Sequence, residues 1–597
     1  MYLKKRVRRK DGKEHTSWSV AESCRVGGRV VQRHVLYLGE LSESQCDGWK
    51  KRLEVFDERS GEARQMSLFP EGRGGAAHAA PADSEECERV EVRLSGMRLE
   101  RPRQFGGCWL ADTLWKRLGL DGFFEQRLGE SRKGTEWERV LRTLVAYRLL
   151  APGSEWRLHR QWFAATAMAD ILGSDSSVAQ QDTLYRCHDL LLEHKEALFR
   201  HLHARWADLF DADYEVLLYD LTSTYFECDA PADPADPRRF GYSRDRRRDC
   251  VQVVVALIVT PDGLPLAYEM HPGNTSDKTT LGEMMAAIQA RYGAARRVWI
   301  MDRGIPTEET LQAMRESDPP IHYLVGTSKS RLDEMDAALL AQPWTKIRDQ
   351  LRVKKLDTDG DTYVLAESAP RAGKEGAMRR RDLRDYIARL KELAAFKRPP
   401  KRDKMLLLLG KAQQKAGKLA TSLVDVEVTR SGRLRWRLDK ERLRLVLRRE
   451  GRYLLRTNLP DLPGETLWSH YMQLVHVEEA FRTLKGELGL RPVHHRLPER
   501  IEAHLFIAFL AYCLQTTLCQ LLRSHAGGLT PRSVIEKLSA IQMLDVRIPT
   551  ADGRELLLRR HTEPDSDQRL LLALLDLQLP AQPPPKIYNP TTEKITT

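Results

Sequence analysis

The chain has 597 residues, with 96 Lys and Arg against 84 Asp and Glu, a net charge of +12. That length is too great for one compact domain and, at roughly 150 residues per domain, predicts three or four units. Nine cysteines, odd in number and scattered without a CxxC pair, argue against a disulfide framework or zinc finger and fit a reducing cytosol.

In chain order, residues 1–70 hold short β-like runs, among them RVGGRVVQRHVLYLG at 25–39 with Gly27 and Gly28 as a hairpin turn. EGRGGAAHAAPADSEE at 71–86 is poor in apolar residues and sets a linker over 71–107. Residues 108–212 are helical by period, most clearly VLRTLVAYRLL at 140–150. VLLYDLT at 216–222 then reads as a buried strand, and VQVVVALIVT (251–260) and LPLAYEMHPG (264–273) as a hairpin turned at Pro261-Asp262-Gly263. RVWIMD (297–302) and IHYLVG (321–326) are further strands, each preceded by a helix, so 213–326 is laid out as α/β.

Residues 327–465 interrupt that pattern with basic helix-like pieces at 378–420 and alternating strands. In RLRWRL (433–438), Leu434, Trp436 and Leu438 share one face, so Trp436 is read as packed. The α/β pattern resumes over 466–525, and 526–597 forms a C-terminal region whose tail from 580 is expected to be disordered. LFIAFLAYCL at 505–514 is about half a membrane span and reads as a buried helix, so no membrane is expected as a partner. The basic N-terminus lacks the apolar run of a signal peptide.

Four basic runs, KKRVRRK (4–10), RRRDLR (379–384), KRPPKRDK (397–404) and RLRWRLDKERLRLVLRR (433–449), favour a phosphate-rich partner, although single runs are usually solvated faces. The 17 histidines include His494-His495, but no HExxH or tight Cys/His cluster accompanies them. They are read as polar surface residues or phosphate donors, not zinc ligands.

Asp220 and Asp302 each fall at the carboxyl end of a predicted strand, where ligands of α/β sheets bind. Each alone has a plainer reading as a cap or turn residue. A third carboxylate from a later helix would complete a hard oxygen site suited to Mg²⁺ or Mn²⁺. YMQLVHVEEAFRTLKGELGL (471–490) reads as such a helix, with Val477, Phe481 and Leu484 as its apolar stripe. With Glu478 at zero, Tyr471 lies at about +20°, Arg482 at about +40° and Lys485 at about −20°, whereas Glu479 turns towards solvent. A plain i,i+4 pair of Glu478 with Arg482 is the competing reading.

VLLYDLTSTYFE, GNTSDKTTL (273–281), VWIMDRG and YMQLVHVEEAFRTLK together resemble bacterial insertion-sequence transposases of the DDE class. The resemblance covers roughly 140–525. In the most similar group the third acid lies in a Y-x2-R-x3-E-x6-K signature. That spacing falls on Tyr471, Leu474, Glu478 and Lys485, so leucine replaces the arginine. It implies an α/β RNase H-like catalytic core interrupted by a β-rich insertion at 327–465, with a mainly helical, DNA-end-binding region at 108–212. Asp220, Asp302 and Glu478 would be the catalytic residues and the metal ligands, holding two Mg²⁺ ions for which Mn²⁺ can substitute. Tyr471 and Lys485 would contact DNA phosphates, and Arg482 is read as a contact in place of the missing arginine. Asn274 and Asp277 also match the group, Asp277 more simply as a helix N-cap.

The activity implied is metal-dependent DNA cleavage and strand transfer, on double-stranded DNA carrying the element's terminal inverted repeats and on target DNA. The protein would work as a homodimer on DNA, in the cytoplasm and associated with the nucleoid. The alternative is a catalytically silent DNA-binding protein derived from a transposase, for which Leu474 leaves room. A phosphohydrolase loop of the DxDxT kind is disfavoured, because Thr222 stands where its second aspartate belongs.

Overall fold

A computed structural model describes residues 1–10, 13–26, 29–64, 90–129, 131, 134–293, 297–328, 331, 338–339, 342–358, 360–459 and 461–589. The N-terminal strands β1 (Tyr2–Lys10), β2 (Lys13–Val26) and β3 (Arg29–Gly39) form an antiparallel meander, followed by the helix Glu43–Arg64. Gly27 and Gly28, read as the hairpin turn, lie outside the described residues, as do 71–89 of the expected linker. The linker reading fails at β4 (Arg98–Gln104), a strand that pairs with the C-terminal part of the chain.

A helical region follows, with Trp137–Leu150 and Lys195–Phe210 among its helices. The chain then enters β5 (Val216–Phe226), β6 (Val251–Val259), β7 (Pro265–Pro272), β8 (Val298–Met301) and β9 (His322–Thr327). Gly263, at φ +85°, permits the tight β6–β7 turn that a side chain would strain. Their spatial order is β7-β6-β5-β8-β9, with β5 to β7 antiparallel and β8 and β9 parallel to β5. The mixed α/β reading therefore holds. β6 is buried at every position, as a strand covered on both faces is.

The expected β-rich insertion needs correction. Its strands β10 (Thr345–Arg348), β11 (Leu351–Thr358) and β12 (Asp361–Ser368) do not form a sheet of their own; they continue the core sheet. The protruding part is largely helical, built on the long helices Ala369–Ala394 and Arg402–Ser422. The hairpin β13 (Val424–Val428) with β14 (Leu434–Leu438) packs on them, its Trp436 partly buried in their shared apolar core. β15 (Arg452–Thr457) returns between β12 and β9 and so joins the insertion's strands to the core strands. The alternation in RLRWRL marked strands correctly but carried no information about which sheet the others join.

The helix Pro498–His525 is long and apolar enough to cross a membrane, yet 83% of its most apolar window is buried inside the protein, as a core helix would be. Strands β16 (Gln542–Pro549), β17 (Glu555–His561) and β18 (Lys586–Tyr588) end the chain, in a sheet with β4. β18 lies in the tail expected to be disordered: Ile587 pairs with Leu556 of β17. Residues 590–597 of that tail lie outside the described residues.

Candidate active site

Asp220 is not at the end of its strand, as expected, but in the middle of β5. What ends there is the ladder with β8. Tyr219 pairs in parallel register with Met301, the last residue of β8. Asp220 and Asp302 are therefore the next residues along two adjacent strands and leave the sheet on the same side, about 5 Å apart in backbone spacing. Asp302 keeps its expected place, one residue past the end of β8.

The stretch 471–490 is also not one helix. It divides into Gly464–Met472 and Leu474–Lys485, and the amides of Gln473 and His476 bond three residues back, a tighter turn than an α-helix allows. Leu474, Val477, Ala480, Phe481 and Leu484 seat the second helix against β5 and β6. That leaves Glu478 exposed on the side of the two aspartates, and its charge acts on Asp220. Glu479 turns the other way. Its charge acts on Tyr512 and Cys519 of the helix Pro498–His525, and its carboxylate lies 4.0 Å from His476 Nδ1.

Burial pushes the carboxyl of Asp220 up to about 7, opposed by the Leu221 amide and Arg244 and reinforced by Asp302 and Glu478. Three carboxylates whose charges meet at Asp220 form a set of oxygen ligands suited to a hard cation. Arg303 N donates to Asp302 Oδ1 at 2.7 Å, and Leu221 N donates to Asp220 Oδ1 at 2.8 Å. Both bonds fix a carboxylate while leaving its second oxygen for another partner.

Tyr471 reaches Asp302, although it sits on the preceding short helix and not on the stripe of Glu478. Its hydroxyl donates to Asp302 Oδ1 at 3.3 Å. Gly326 on β9 makes this possible, since a Cβ there would come within 2.5 Å of the Tyr471 hydroxyl. Gly326→Ala is therefore expected to drive Tyr471 off Asp302 and lower the activity of this carboxylate cluster about tenfold, the rate equivalent of roughly 1.4 kcal/mol. Single-turnover rates with a matched melting curve check this; an unchanged rate would remove Tyr471 from the cluster.

Leu474, at the signature's arginine position, is buried in the core, so no basic group stands there. Arg482 is exposed. Lys485 differs from expectation. Burial lowers its pKa, and its ammonium lies 2.9 Å from Asp245 Oδ1, an ion pair neither within its helix nor open to solvent. Arg491 pairs with the same carboxylate.

Asp245, Arg244 and Arg491 were missed in the sequence. Asp245 belongs to the arginine-rich β5–β6 connection, GYSRDRRRD at 241–249, where Arg244 N donates to Ser223 Oγ at 3.4 Å. A basic run between two buried strands was the available signal, and its Arg244 acts on the carboxyl of Asp220. Asn274 lies in the turn after β7, and the side chain of Asp277 lies outside the described residues.

Two carboxylates in register on adjacent strands thus face a third on a packed helix. The chain belongs to the transposase DDE domain family, whose model matches residues 212–514. Residues 3–62 match the N-terminal domain of the IS1634 family transposases, which makes this an insertion-sequence transposase. No curated protein matches the chain. Among solved structures, a cryo-EM structure of a piggyBac transposase synaptic complex with hairpin DNA is similar at a TM-score of 0.35 and 10% identity, covering 76% of this chain and 82% of that one. At that level the likeness supports no conclusion about this chain.

Proposed function

We propose that this transposase cuts and rejoins double-stranded DNA at the ends of its element, with Asp220, Asp302 and Glu478 as the carboxylates that hold its divalent metal. The observation that carries the reading is the register of Tyr219 with Met301, which sets the two aspartates side by side where Glu478 faces them. The core strands β5 to β9 with the Leu474–Lys485 helix fit an RNase H-like arrangement. DDE transposase domains use divalent metal, and Mg²⁺, with Mn²⁺ as substitute, suits this all-carboxylate donor set. When bound, a pair of such ions stabilises the attacking and leaving oxygens of an in-line phosphoryl transfer.

The protein's own groups do the positioning. Tyr471 and Arg303 orient Asp302, and the Leu221 amide orients Asp220. A cation held by Asp220 would take the place of its proton, so metal binding would strengthen with pH up to about 7. Arg482 is the exposed phosphate contact of the catalytic helix. Lys485, neutralised by Asp245, clamps the arginine loop at 241–249 over the site, and that loop presents the DNA-facing charge. The helical region 108–212 recognises the terminal inverted repeats. The protein acts as a homodimer that brings two ends together with target DNA, in the cytoplasm at the nucleoid.

The test is cleavage of a supercoiled plasmid carrying the element's two ends, with Mg²⁺ and with chelator. Nicks at the element ends only with metal are expected. Specific end binding without cleavage would instead favour a catalytically silent descendant, the reading that buried Leu474 supports. End binding itself is expected to weaken about 10³-fold between 50 and 200 mM salt if about six phosphates are neutralised. Gel-shift titrations across that range check it, and a flat salt dependence would contradict the basic-loop account.

A further inference from the structure

Away from the carboxylate centre, three residues distant in sequence converge where the helical region meets the segment after the catalytic helix. Glu155 follows the Pro152-Gly153-Ser154 break and opens the helix Glu155–Arg157. His188 ends the helix Gln181–His188. His495 lies between the helices Leu474–Lys485 and Pro498–His525. The reading of His495 as a surface residue is thus corrected: its side chain is 6% exposed, that of Glu155 8% and that of His188 0%.

The Oε1 of Glu155 lies 3.4 Å from His495 Nε2 and 3.6 Å from His188 Nε2, and all three ligand atoms fall within 4.8 Å of one another. Around a tetrahedral ion with bonds of about 2.1 Å, ligand atoms stand about 3.4 Å apart. The tautomer of His188 is set by its other nitrogen. Nδ1 lies 2.9 Å from the Leu184 carbonyl oxygen and donates to it, so Nε2 carries a lone pair. That Nε2 is buried without a hydrogen-bond partner and aims at a carboxylate. Two lone pairs facing each other at this distance repel unless a cation joins them.

We propose that Glu155, His188 and His495 form a second metal site, a His₂Glu centre for Zn²⁺ or a similar divalent transition ion, that pins the helical region to the segment following the catalytic helix. Two imidazoles and one carboxylate suit such an ion, whereas the all-carboxylate centre suits Mg²⁺. His504 stands beside the site, not in it. Its Nδ1 accepts from Arg148 Nη2 at 3.3 Å, which places its proton on Nε2. Arg148 Nη1 donates to the Gly489 carbonyl at 3.2 Å, a second tie across the same joint. The site is built from residues 155, 188 and 495, so it couples the end of the catalytic helix to the region proposed to grip DNA ends.

The test uses full-length protein carrying Asp220→Asn, which disables the carboxylate centre, titrated with Co²⁺ and then Zn²⁺. One Co²⁺ per chain is expected, with the strong visible absorption of a tetrahedral site, displaced by one equivalent of Zn²⁺ that also raises the melting temperature. Adding His495→Gln or Glu155→Gln should abolish both signals, and His494→Gln at the exposed neighbour should leave them intact. Absence of tetrahedral Co²⁺ absorption in the Asp220→Asn protein would overturn the proposal and leave Glu155 as a buried partner of Arg148 and His495. Absorption that survives both ligand substitutions would overturn it equally. Metal stoichiometry of the Asp220→Asn protein decides the matter even where a ligand variant does not fold, and it is independent of whether DNA cleavage is observed.

Discussion

Asp220→Asn is expected to lower DNA cleavage by about 10³-fold or more, equivalent to roughly 4 kcal/mol of transition-state stabilisation, while making the metal-free protein more stable. The two effects share one cause. Asp220 is held on β5 beside Asp302 and under Glu478, and burial with those two charges raises its carboxyl to about 7. Between the ordinary aspartate value and about 7, the folded protein holds a proton that the unfolded chain has lost. Stability therefore falls as pH rises through that window, and the loss is complete above it. Asparagine keeps the shape and has no charge to bury. The gain in the metal-free variant should be larger at pH 8 than at pH 5, reaching about 4 kcal/mol at most. Denaturant melts with chelator at both pH values, beside end-binding and cleavage assays, check the set. A variant that cuts DNA normally, or one destabilised at pH 8, would contradict the placement.

The second large effect separates two neighbouring glutamates. Glu478→Gln is expected to cost cleavage about as much as Asp220→Asn, again about 10³-fold or more. Glu479→Gln is expected to change the rate by less than about threefold, since exposed substitutions away from a site usually act weakly. The difference rests on one helical face. Val477, Phe481 and Leu484 bury one stripe of the Leu474–Lys485 helix, and Glu478 then faces the aspartates while Glu479 faces the helix Pro498–His525. The rate ratio of the two variants measures that rotation directly.

The helix face was legible because a packed apolar stripe fixes rotation whatever the chain does elsewhere. The strands bearing Asp220 and Asp302 were legible as buried apolar runs. Their mutual register was not, since it is set by the pairing of Tyr219 with Met301 across some 80 residues of intervening chain. Tyr471 was assigned to the site on a continuous wheel, whereas it arrives from a separate helix through the space left by Gly326. The insertion's strands could be recognised by alternation, but nothing local says that β10, β11, β12 and β15 extend the core sheet. Lys485 looked like a free phosphate contact because Asp245, its partner 240 residues earlier, has no sequence mark of its own. The Glu155, His188 and His495 cluster was hidden for the same reason: local spacing rules find metal sites on one helix or loop, and this one gathers three distant segments.

The most direct test of the central claim is Mg²⁺-dependent excision from a plasmid carrying the element's own ends, run in parallel with wild type, Glu478→Gln and Glu479→Gln. Excision by wild type and Glu479→Gln, with none by Glu478→Gln despite intact end binding, is the predicted result. Excision by Glu478→Gln at the wild-type rate would contradict the three-carboxylate centre.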